Sequence, residues 1–302
     1  MTPPPPAVIE RAVGGVGVRR CGVRHHGTAS AGAGYGLGDH LCWPFDDYDD
    51  FRREAMAFLA DGAQLGQRLL YSADRPLDDL QRDVLDGLPG ADRLLASGGL
   101  AVESLFDTYE VSAVSDPGAQ AAAYVARTGD AVVAGYTGLR AAADVTLLAS
   151  DTVSRDAFVR YEHLIDRAML DMPFTAMCGY DRSRLTPRAA NEMASVHPHR
   201  RSGSSTFALF NDDDGLLLTG DVDAAVDPTF GVSVGRVLET IHGDVIDVDC
   251  SELDFLDSCG LQVLDHAAAA ARVVVRLERP PPSSERLIEL LDPLTVSVAS
   301  RR

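Results

Sequence analysis

The sequence predicts an α/β protein built from two modules: a mostly parallel sheet flanked by helices, and then a smaller mixed sheet with helices on one side. Two observations support this fold class. Apolar runs of strand length alternate with stretches of helical periodicity along most of the chain. A polar, small-residue segment, "HPHRRSGSSTF" at 197–207, interrupts this alternation and divides it into two parts.

The division predicts four regions in the 302 residues. Residues 1–38 hold four consecutive prolines and many Gly, Ala and Ser residues, so they bury too little apolar surface to offset the entropy of ordering, and we expect a disordered tail. The first module covers 39–198, a linker covers 199–205, and the second module covers 206–302.

Apolar side chains at helical spacing predict the helices of the first module, and short apolar runs predict its strands. In chain order we expect a strand at 39–45, a helix at 48–66, a strand at 67–73, a helix at 77–85, a strand at 100–105, a helix at 117–128, a strand at 131–138, a helix at 155–172 and a strand at 174–181. Parallel sheets bind ligands at the carboxyl ends of their strands, which here fall near 73–74, 136–140 and 180–181.

The second module begins with two predicted strands around an Asp-Gly turn, within 206–226. A helix starting at a proline follows, and strands and helices then alternate. The predicted elements are a helix at 228–242, a strand at 244–256, a helix at 258–271, a strand at 272–278, a helix at 283–292 and a strand at 295–300.

Composition limits the partners. A formal net charge of −18 disfavours direct binding to nucleic acid or to an anionic membrane, so we expect a protein or small-molecule partner. Five cysteines without a CxxC pair favour a reducing cytoplasm over a disulfide framework. No apolar run reaches the length of a membrane span, and the first residues lack a signal peptide's apolar segment. We therefore expect a cytoplasmic protein, and the sequence leaves open whether it forms a homodimer.

The stretch "DFLDSCGLQVLDH" places small side chains where a strand gives way to a helix. Asp257 is expected to be the N-cap, which makes Ser258 the first helical residue, with an outward hydroxyl. A phosphate there carries a charge of about −1.5 to −2, which the helix N-terminus accepts without unfolding. Cys259 and Gly260 are small enough for a partner backbone to approach, so the sequence predicts a switch at this surface. The alternative is that Ser258 is only part of a helix cap.

Several motifs of the first module occur in a recognisable order: "GDHLCWPF", "GQRLLYSADRP", "GYTGLRAAADVT", "FVRYEHLIDR", "FTAMCGYDR" and "VHP". With them, residues 39–198 resemble the MEDS family of sensory domains. The resemblance implies a RecA-like α/β domain without a phosphate loop and a role in sensing a small-molecule ligand. Neither GxxxxGK[ST] nor GxGxxG follows the first strand, which agrees with that expectation.

The second module resembles a STAS domain over 206–300, through "LLLTGDVD", "VIDVDCSELDFLDSCGLQVL" and "SERLIELL". In anti-sigma factor antagonists of this family, the Ser after the Asp is phosphorylated by a GHKL-type anti-sigma kinase. The unphosphorylated form binds that kinase and frees a sigma factor. The resemblance implies this role for Ser258 and places the acidic Asp223 near it. Cys259 stands where Ser or Thr is usual.

A ligand or metal site in the first module is a further hypothesis. His40 and Cys42 alternate along one predicted strand, and with Cys178 and His197 they offer imidazole and thiol ligands for Zn²⁺ or haem iron. The alternative is that the cysteines are buried as small apolar residues.

Trp43, Tyr136 and Arg140, with His40 and Cys42, are the candidate contacts of a small-molecule ligand. For the aromatic residues the alternative is the core, and for Arg140 it is an ion pair. The segment "RYEHLIDR" at 160–167 is interpreted as a solvated helix face.

These observations favour a signalling regulator of the anti-sigma factor antagonist type, which senses a signal through the first module and switches partner binding at Ser258. The alternative is a small-molecule, metal or haem sensor with a STAS docking module that is not phosphorylated. We expect no enzymatic activity, because neither Ser258 nor Cys42 lies in a GxSxG elbow or near a recognisable base. No cofactor is expected beyond such a ligand, metal or haem.

Overall fold

The computed structural model of the chain describes residues 24–105, 116–212 and 215–299, and its strands form two sheets. The strands of the first sheet are β1 Gly27–Ala29, β2 His40–Phe45, β3 Arg68–Ala73, β4 Leu100–Ser104, β5 Leu139–Asp144, β6 Phe174–Asp181 and β7 His199–Arg201. All are parallel, in the order β1-β7-β2-β6-β5-β3-β4. The accompanying helices are α1 Tyr48–Gln64, α2 Leu77–Gly87, α3 Ala91–Ser97, α4 Pro117–Val133, α5 Thr146–Ser150, α6 Thr152–Asp171 and α7 Pro187–Ala194.

The second sheet is smaller and mixed. Its strands are β8 Phe207–Asp212, β9 Gly215–Val222, β10 Val245–Leu256, β11 Val274–Glu278 and β12 Val296–Val298, in the order β12-β11-β10-β9-β8. Only the β8–β9 pair is antiparallel. The helices of this module are α8 Asp227–Thr240, α9 Ser258–Ala271 and α10 Pro282–Leu291. The predicted α/β fold class, with its two successive sheets, is confirmed.

The predicted strand at 131–138 is wrong. Helix α4 continues to Val133, and Gly135, at φ 92°, lets the chain leave it in a conformation that other residues rarely adopt. The strand, β5, comes later, at Leu139–Asp144. Tyr136 and Arg140 consequently lie at its amino-terminal end, and not at the carboxyl edge where we expected them.

The predicted disorder of 1–38 is also wrong in part; residues 1–23 lie outside the described residues. Strand β1 lies at the edge of the first sheet, where Gly27 N donates to Pro198 O at 2.9 Å. The predicted linker contributes as well, because β7 pairs with both β1 and β2. Sheet hydrogen bonds and one buried ion pair, described below, order these polar segments where apolar burial alone could not.

The two modules share one apolar core. A single cluster of buried side chains includes Phe158 and Met193 of the first module and Phe207 and Phe230 of the second. Helices α6 and α7 pack against α8, and α6 also packs against β8. Helix α6 therefore lies in the interface between the two modules. Within the described residues, no helix combines the length and the apolar character that a membrane span requires.

Helix α6 begins at a charged cap, which gives a pH-dependent prediction. The Asp151 carboxylate accepts from Val153 N and Ser154 N, both at 3.0 Å, and hydrogen bonding from Ser154, first from its side chain and then from its backbone, is the main cause of its lowered pKa. We expect Asp151→Ala to cost about 1 kcal/mol at neutral pH.

Because the pKa of Asp151 is lowered on folding, its contribution is present above the ordinary pKa of about 3.9 and is lost as the pH falls through the lower folded value. Urea unfolding of Asp151→Ala and the parent chain should therefore differ at pH 7 and converge in strong acid. Asp86→Ala, at an exposed position of α2, is the control and should show no such convergence.

Candidate functional site

Two groups of side chains carry the predicted chemistry, and the first lies at the carboxyl edge of the second sheet. Strands β9 and β10 end side by side, with Val222 in register with Leu256, and Asp257 N donates to Val222 O at 3.1 Å. Asp223 directly follows β9 and is therefore adjacent to Asp257. The Asp223 carboxylate accepts from Ala225 N at 2.9 Å and is exposed.

Helix α9 begins as the sequence predicts. Asp257 is its N-cap, and its carboxylate accepts from Gly260 N at 2.7 Å. Ser258 is the first helical residue, and both it and Cys259 are exposed. The Ser258 hydroxyl is thus accessible to an enzyme. We call Asp223, Asp257, Ser258 and Cys259 the serine edge.

Gly260 does not belong to this surface, contrary to the prediction. It is buried, and a Cβ built on it would lie 2.7 Å from Leu256 Cδ1 and 2.7 Å from Val222 Cγ1. Its small size lets the first turn of α9 pack directly on the strand ends. Gly260 therefore supports the serine edge through its packing on the ends of β9 and β10, and it offers no surface to a partner.

The second group lies inside the first module and consists of His40, Glu162, Cys178 and His197, which we call the buried cluster. Each residue is at most 8% exposed, and one donor atom from each lies within 4.8 Å of the others. Glu162 Oε2 is 3.1 Å from His40 Nε2, 3.7 Å from His197 Nε2 and 3.8 Å from Cys178 Sγ. Cys178 Sγ is 3.6 Å from His40 Nε2.

Three members of the buried cluster each use their second polar atom for a hydrogen bond to a group outside the cluster. The pairs are His40 Nδ1 with Asp166 Oδ1 at 3.2 Å, His197 Nδ1 with Met193 O at 2.7 Å, and Glu162 Oε1 with the Tyr180 hydroxyl at 2.9 Å. Because a carbonyl only accepts, the hydrogen of the neutral His197 ring is on Nδ1, and its Nε2 carries a lone pair. That Nε2 is buried and has no hydrogen-bond partner among the described residues.

The two buried carboxyl groups are held in their charged forms. Burial alone raises the pKa of Asp166, but the Arg24 charge and the hydrogen bond to His40 outweigh burial and keep this pKa far below its usual value. Burial also raises the pKa of Glu162, but its net pKa is lowered, and the hydrogen bonds from His40 and the Tyr180 hydroxyl act in that direction. Glu162 therefore brings a carboxylate charge into the buried cluster.

The histidines differ from each other. Burial alone lowers the pKa of His40, but its hydrogen bonds to Asp166 and Glu162 raise the net value. For His197, burial and the neighbouring His40 lower the pKa to about 4, so its ring is neutral at neutral pH. Burial raises the pKa of the Cys178 thiol well above its usual value.

Asp166 connects the buried cluster to the second module. Its carboxylate accepts from the Arg24 guanidinium at 2.9 and 2.5 Å, and from the backbone N and side-chain Nδ2 of Asn211, both at 3.0 Å. Asn211 lies on β8, and its Nδ2 also donates to His163 O at 3.0 Å. One carboxylate on α6 thus joins the N-terminal segment, the first sheet and the second sheet.

The interpretation of 160–167 as a solvated helix face is therefore wrong. Glu162, His163 and Asp166 are at most 3% exposed, and of the charged side chains in this segment only the flanking Arg160 and Arg167 reach solvent. The second module covers this face of α6. The periodicity of the first module, taken by itself, predicts that the face is exposed to water.

The predicted ligand contacts do not meet in one pocket among the described residues. Cys42 lies opposite Cys178 on the neighbouring strand, and both pack in the apolar core, but Cys42 is not one of the four clustered donors. Trp43 is 1% exposed, with the Arg201 guanidinium 4.7 Å above its ring. Arg140 is fully buried, whereas Tyr136 is partly exposed at the amino-terminal end of β5. Arg140 cannot meet a ligand without a rearrangement, and the cation–π contact gives Trp43 a packing role.

The interface between the modules extends from the buried cluster toward the serine edge. Just before His197, Ser195 O accepts from Leu209 N at 2.7 Å, and Ser195 Oγ is 2.7 Å from Ser233 Oγ of α8. Arg188 Nη2 donates to Pro228 O at 3.2 Å, in the first turn of α8. The loop that holds Asp223 leads directly into this turn.

Comparison with known families agrees with the two modules. A family model described as "MEDS: MEthanogen/methylotroph, DcmR Sensory domain" matches residues 39–198. A second model, described as "Mlab, STAS domain", matches residues 206–293. No curated protein gives a significant match to the chain. Both matches follow the order of the two sheets.

Proposed function

The chain belongs to the MEDS family of sensory domains and carries a STAS domain after it, and on this premise we propose that phosphorylation of Ser258 switches its binding to an anti-sigma kinase. The two domains together make the chain a signalling regulator of the anti-sigma factor antagonist type. The observation that carries the proposal is the exposed hydroxyl of Ser258 on the first residue of α9.

The local geometry supports a modification that leaves the fold intact. Ser258 is exposed, and the first-turn amides of a helix have no intrahelical acceptor. The helix dipole and these amides favour a phosphate by about 0.3–1 kcal/mol. A phosphorylated chain should therefore unfold at nearly the same urea concentration as the unmodified chain.

The same phosphate changes what can dock on the serine edge. Ser258 and Cys259 are small, and a dianion in their place has to be desolvated beside the carboxylates of Asp223 and Asp257 when a partner covers the surface. Like charges at a close interface cost several kcal/mol, and about 2.7 kcal/mol already weakens binding a hundredfold. The unmodified chain is the form that binds the kinase.

Phosphate mapping tests the acceptor. The full chain is incubated with ATP and candidate GHKL-type anti-sigma kinases, and the modified residue is located by mass spectrometry. We expect one phosphate on Ser258, none on Ser258→Ala, and undiminished labelling of Ser251→Ala, which removes another exposed serine of the same domain. Labelling that persists in Ser258→Ala would exclude the proposed acceptor.

Binding tests the switch separately. The affinity of the same kinase is measured for the unmodified chain and for the phosphorylated chain, and we expect a loss of about a hundredfold on phosphorylation. Cys259→Ser is the matched control, because it changes the neighbouring side chain without adding charge, and it should bind as the parent does. Equal affinity for both forms would contradict the switch.

A further inference from the structure

We propose that the buried cluster is a binding site for one Zn²⁺ ion, with His40, Glu162, Cys178 and His197 as its four ligands. This inference concerns the MEDS domain and does not depend on the role of Ser258. Imidazole nitrogen, thiolate sulfur and carboxylate oxygen are the three ligand types that Zn²⁺ takes in proteins, and four of them with no water complete a closed site.

Four of the six distances between the donor atoms are close to the edge lengths of a tetrahedral site, and the remaining two, from His197 Nε2 to His40 and to Cys178, are at most 4.8 Å. With Zn–N and Zn–O bonds near 2.0–2.1 Å and Zn–S near 2.3 Å, the edges of a tetrahedron are about 3.3–3.6 Å long. The described pairs are separated by 3.1 Å for His40 Nε2 and Glu162 Oε2, 3.6 Å for His40 Nε2 and Cys178 Sγ, 3.7 Å for His197 Nε2 and Glu162 Oε2, and 3.8 Å for Cys178 Sγ and Glu162 Oε2. These four distances differ from ideal tetrahedral edges by only a few tenths of an ångström.

The orientation of His197 separates a metal site from a hydrogen-bonded cluster. Its Nδ1 donates to Met193 O, so its Nε2 presents a lone pair to the other three donor groups, and this buried atom has no hydrogen-bond partner among the described residues. An unsatisfied buried acceptor destabilises the fold, because it has lost its hydrogen bonds to water without gaining a partner. A cluster that only exchanged hydrogen bonds would leave that cost uncompensated, whereas a metal ion uses the lone pair.

The surrounding groups match those of protein zinc sites. Ligating histidines usually donate their other ring N–H to a carboxylate or a backbone carbonyl, which fixes the tautomer and the ring plane. Here Asp166 is the acceptor for His40 Nδ1, and Met193 O is the acceptor for His197 Nδ1. The Tyr180 hydroxyl donates to Oε1 of Glu162.

The charges balance as well. The Glu162 carboxylate and a Cys178 thiolate together neutralise a divalent cation, and Asp166 is already paired with Arg24. A haem fits less well, because the rings of His40 and His197 lie 4.1 Å apart between centroids and leave no space for a porphyrin between them.

The test begins with the parent chain, produced without an affinity tag in zinc-supplemented medium. We expect about one Zn²⁺ per chain by elemental analysis, and one sulfur with three nitrogen or oxygen neighbours by zinc X-ray absorption. Less than about a tenth of an equivalent, with no Co²⁺ spectrum after refolding in the presence of cobalt, would overturn the proposal.

Substitutions assign the ligands. Chain refolded with Co²⁺ should show a thiolate-to-metal charge-transfer band, which Cys178→Ser abolishes and Cys42→Ser retains, since Cys42 is equally buried on the adjacent strand but lies outside the cluster. His197→Gln should lower zinc content at least tenfold. Loss of the band in Cys42→Ser with its retention in Cys178→Ser would refute the ligand set. Should Cys178→Ser fail to fold, the X-ray absorption of the parent chain still decides the sulfur ligand.

Discussion

Replacing Asp166 with alanine should lower the free energy of unfolding by about 3–5 kcal/mol, which is the loss expected when one partner of a buried ion pair is removed. The carboxylate is fully buried and takes both Arg24 nitrogens, the Nδ1 of His40, and two donors of Asn211. Without it, the Arg24 guanidinium is left in the interior with backbone carbonyls as its remaining partners.

The matched control lies on the same helix and in the same interface between the modules. Asp156 is a carboxylate of α6, 30% exposed, that pairs with Arg160 of its own helix and Arg236 of α8. Exposed pairs contribute about 0–1 kcal/mol, so Asp156→Ala should cost no more than that. A loss at Asp166 equal to the loss at Asp156 would show that the buried network is not a major source of stability.

Both variants are unfolded in urea with a chelator present, so that metal binding does not contribute. The fluorescence of Trp43, the single tryptophan, reports on the first module, and far-ultraviolet circular dichroism reports on both. Because Asp166 joins segments of both modules and the modules share a core, we expect the two signals to shift together. A shift confined to one signal would contradict that coupling.

Local pattern was sufficient for most of the fold. The predicted strand at 174–181 and the predicted helix at 258–271 coincide with β6 and α9, because a continuous apolar run and an Asp cap are visible without tertiary context. The strand at 131–138 failed because "AVVAG" is apolar enough for either element, and only packing makes it the end of α4.

The buried cluster was only partly predictable. His40, Cys178 and His197 attract attention by residue type, but Glu162 lies in a segment whose charges suggest a solvated face. The missing information is the second module, which covers that face. One signal was available: α6 carries apolar residues on several sides, among them Phe158, Val159, Tyr161 and Ile165. Such a helix has no wide polar face to expose, which indicates burial of the charges it does carry.

Arg140 illustrates the opposite error, in which a residue type that often contacts ligands holds the fold together instead. Its guanidinium donates to Gln67 Oε1 at 2.6 Å, Phe58 O at 3.1 Å and Tyr35 O at 2.7 Å, and it lies 4.5 Å from the centroid of the Phe58 ring. Burial lowers its pKa to about 10, so it is charged at neutral pH. The side chain thereby fastens the segment before β2 and helix α1 to β5.

Arg140→Ala should therefore destabilise the chain by about 3–5 kcal/mol, because it opens a large cavity, leaves the buried Gln67 Oε1 unpaired and removes the hydrogen bonds to Phe58 O and Tyr35 O. Arg140→Lys should recover only a minor part of the lost stability, since an ammonium cannot reproduce the planar set of hydrogen-bond donors of the guanidinium. Arg68→Ala on the neighbouring strand is the control: its guanidinium donates to Gly98 O at the surface, and its removal should cost about 1 kcal/mol or less. Urea unfolding followed by Trp43 fluorescence measures all three. A residue that only contacted a ligand would leave the unfolding midpoint unchanged, so an unshifted Arg140→Ala would restore the ligand-binding role.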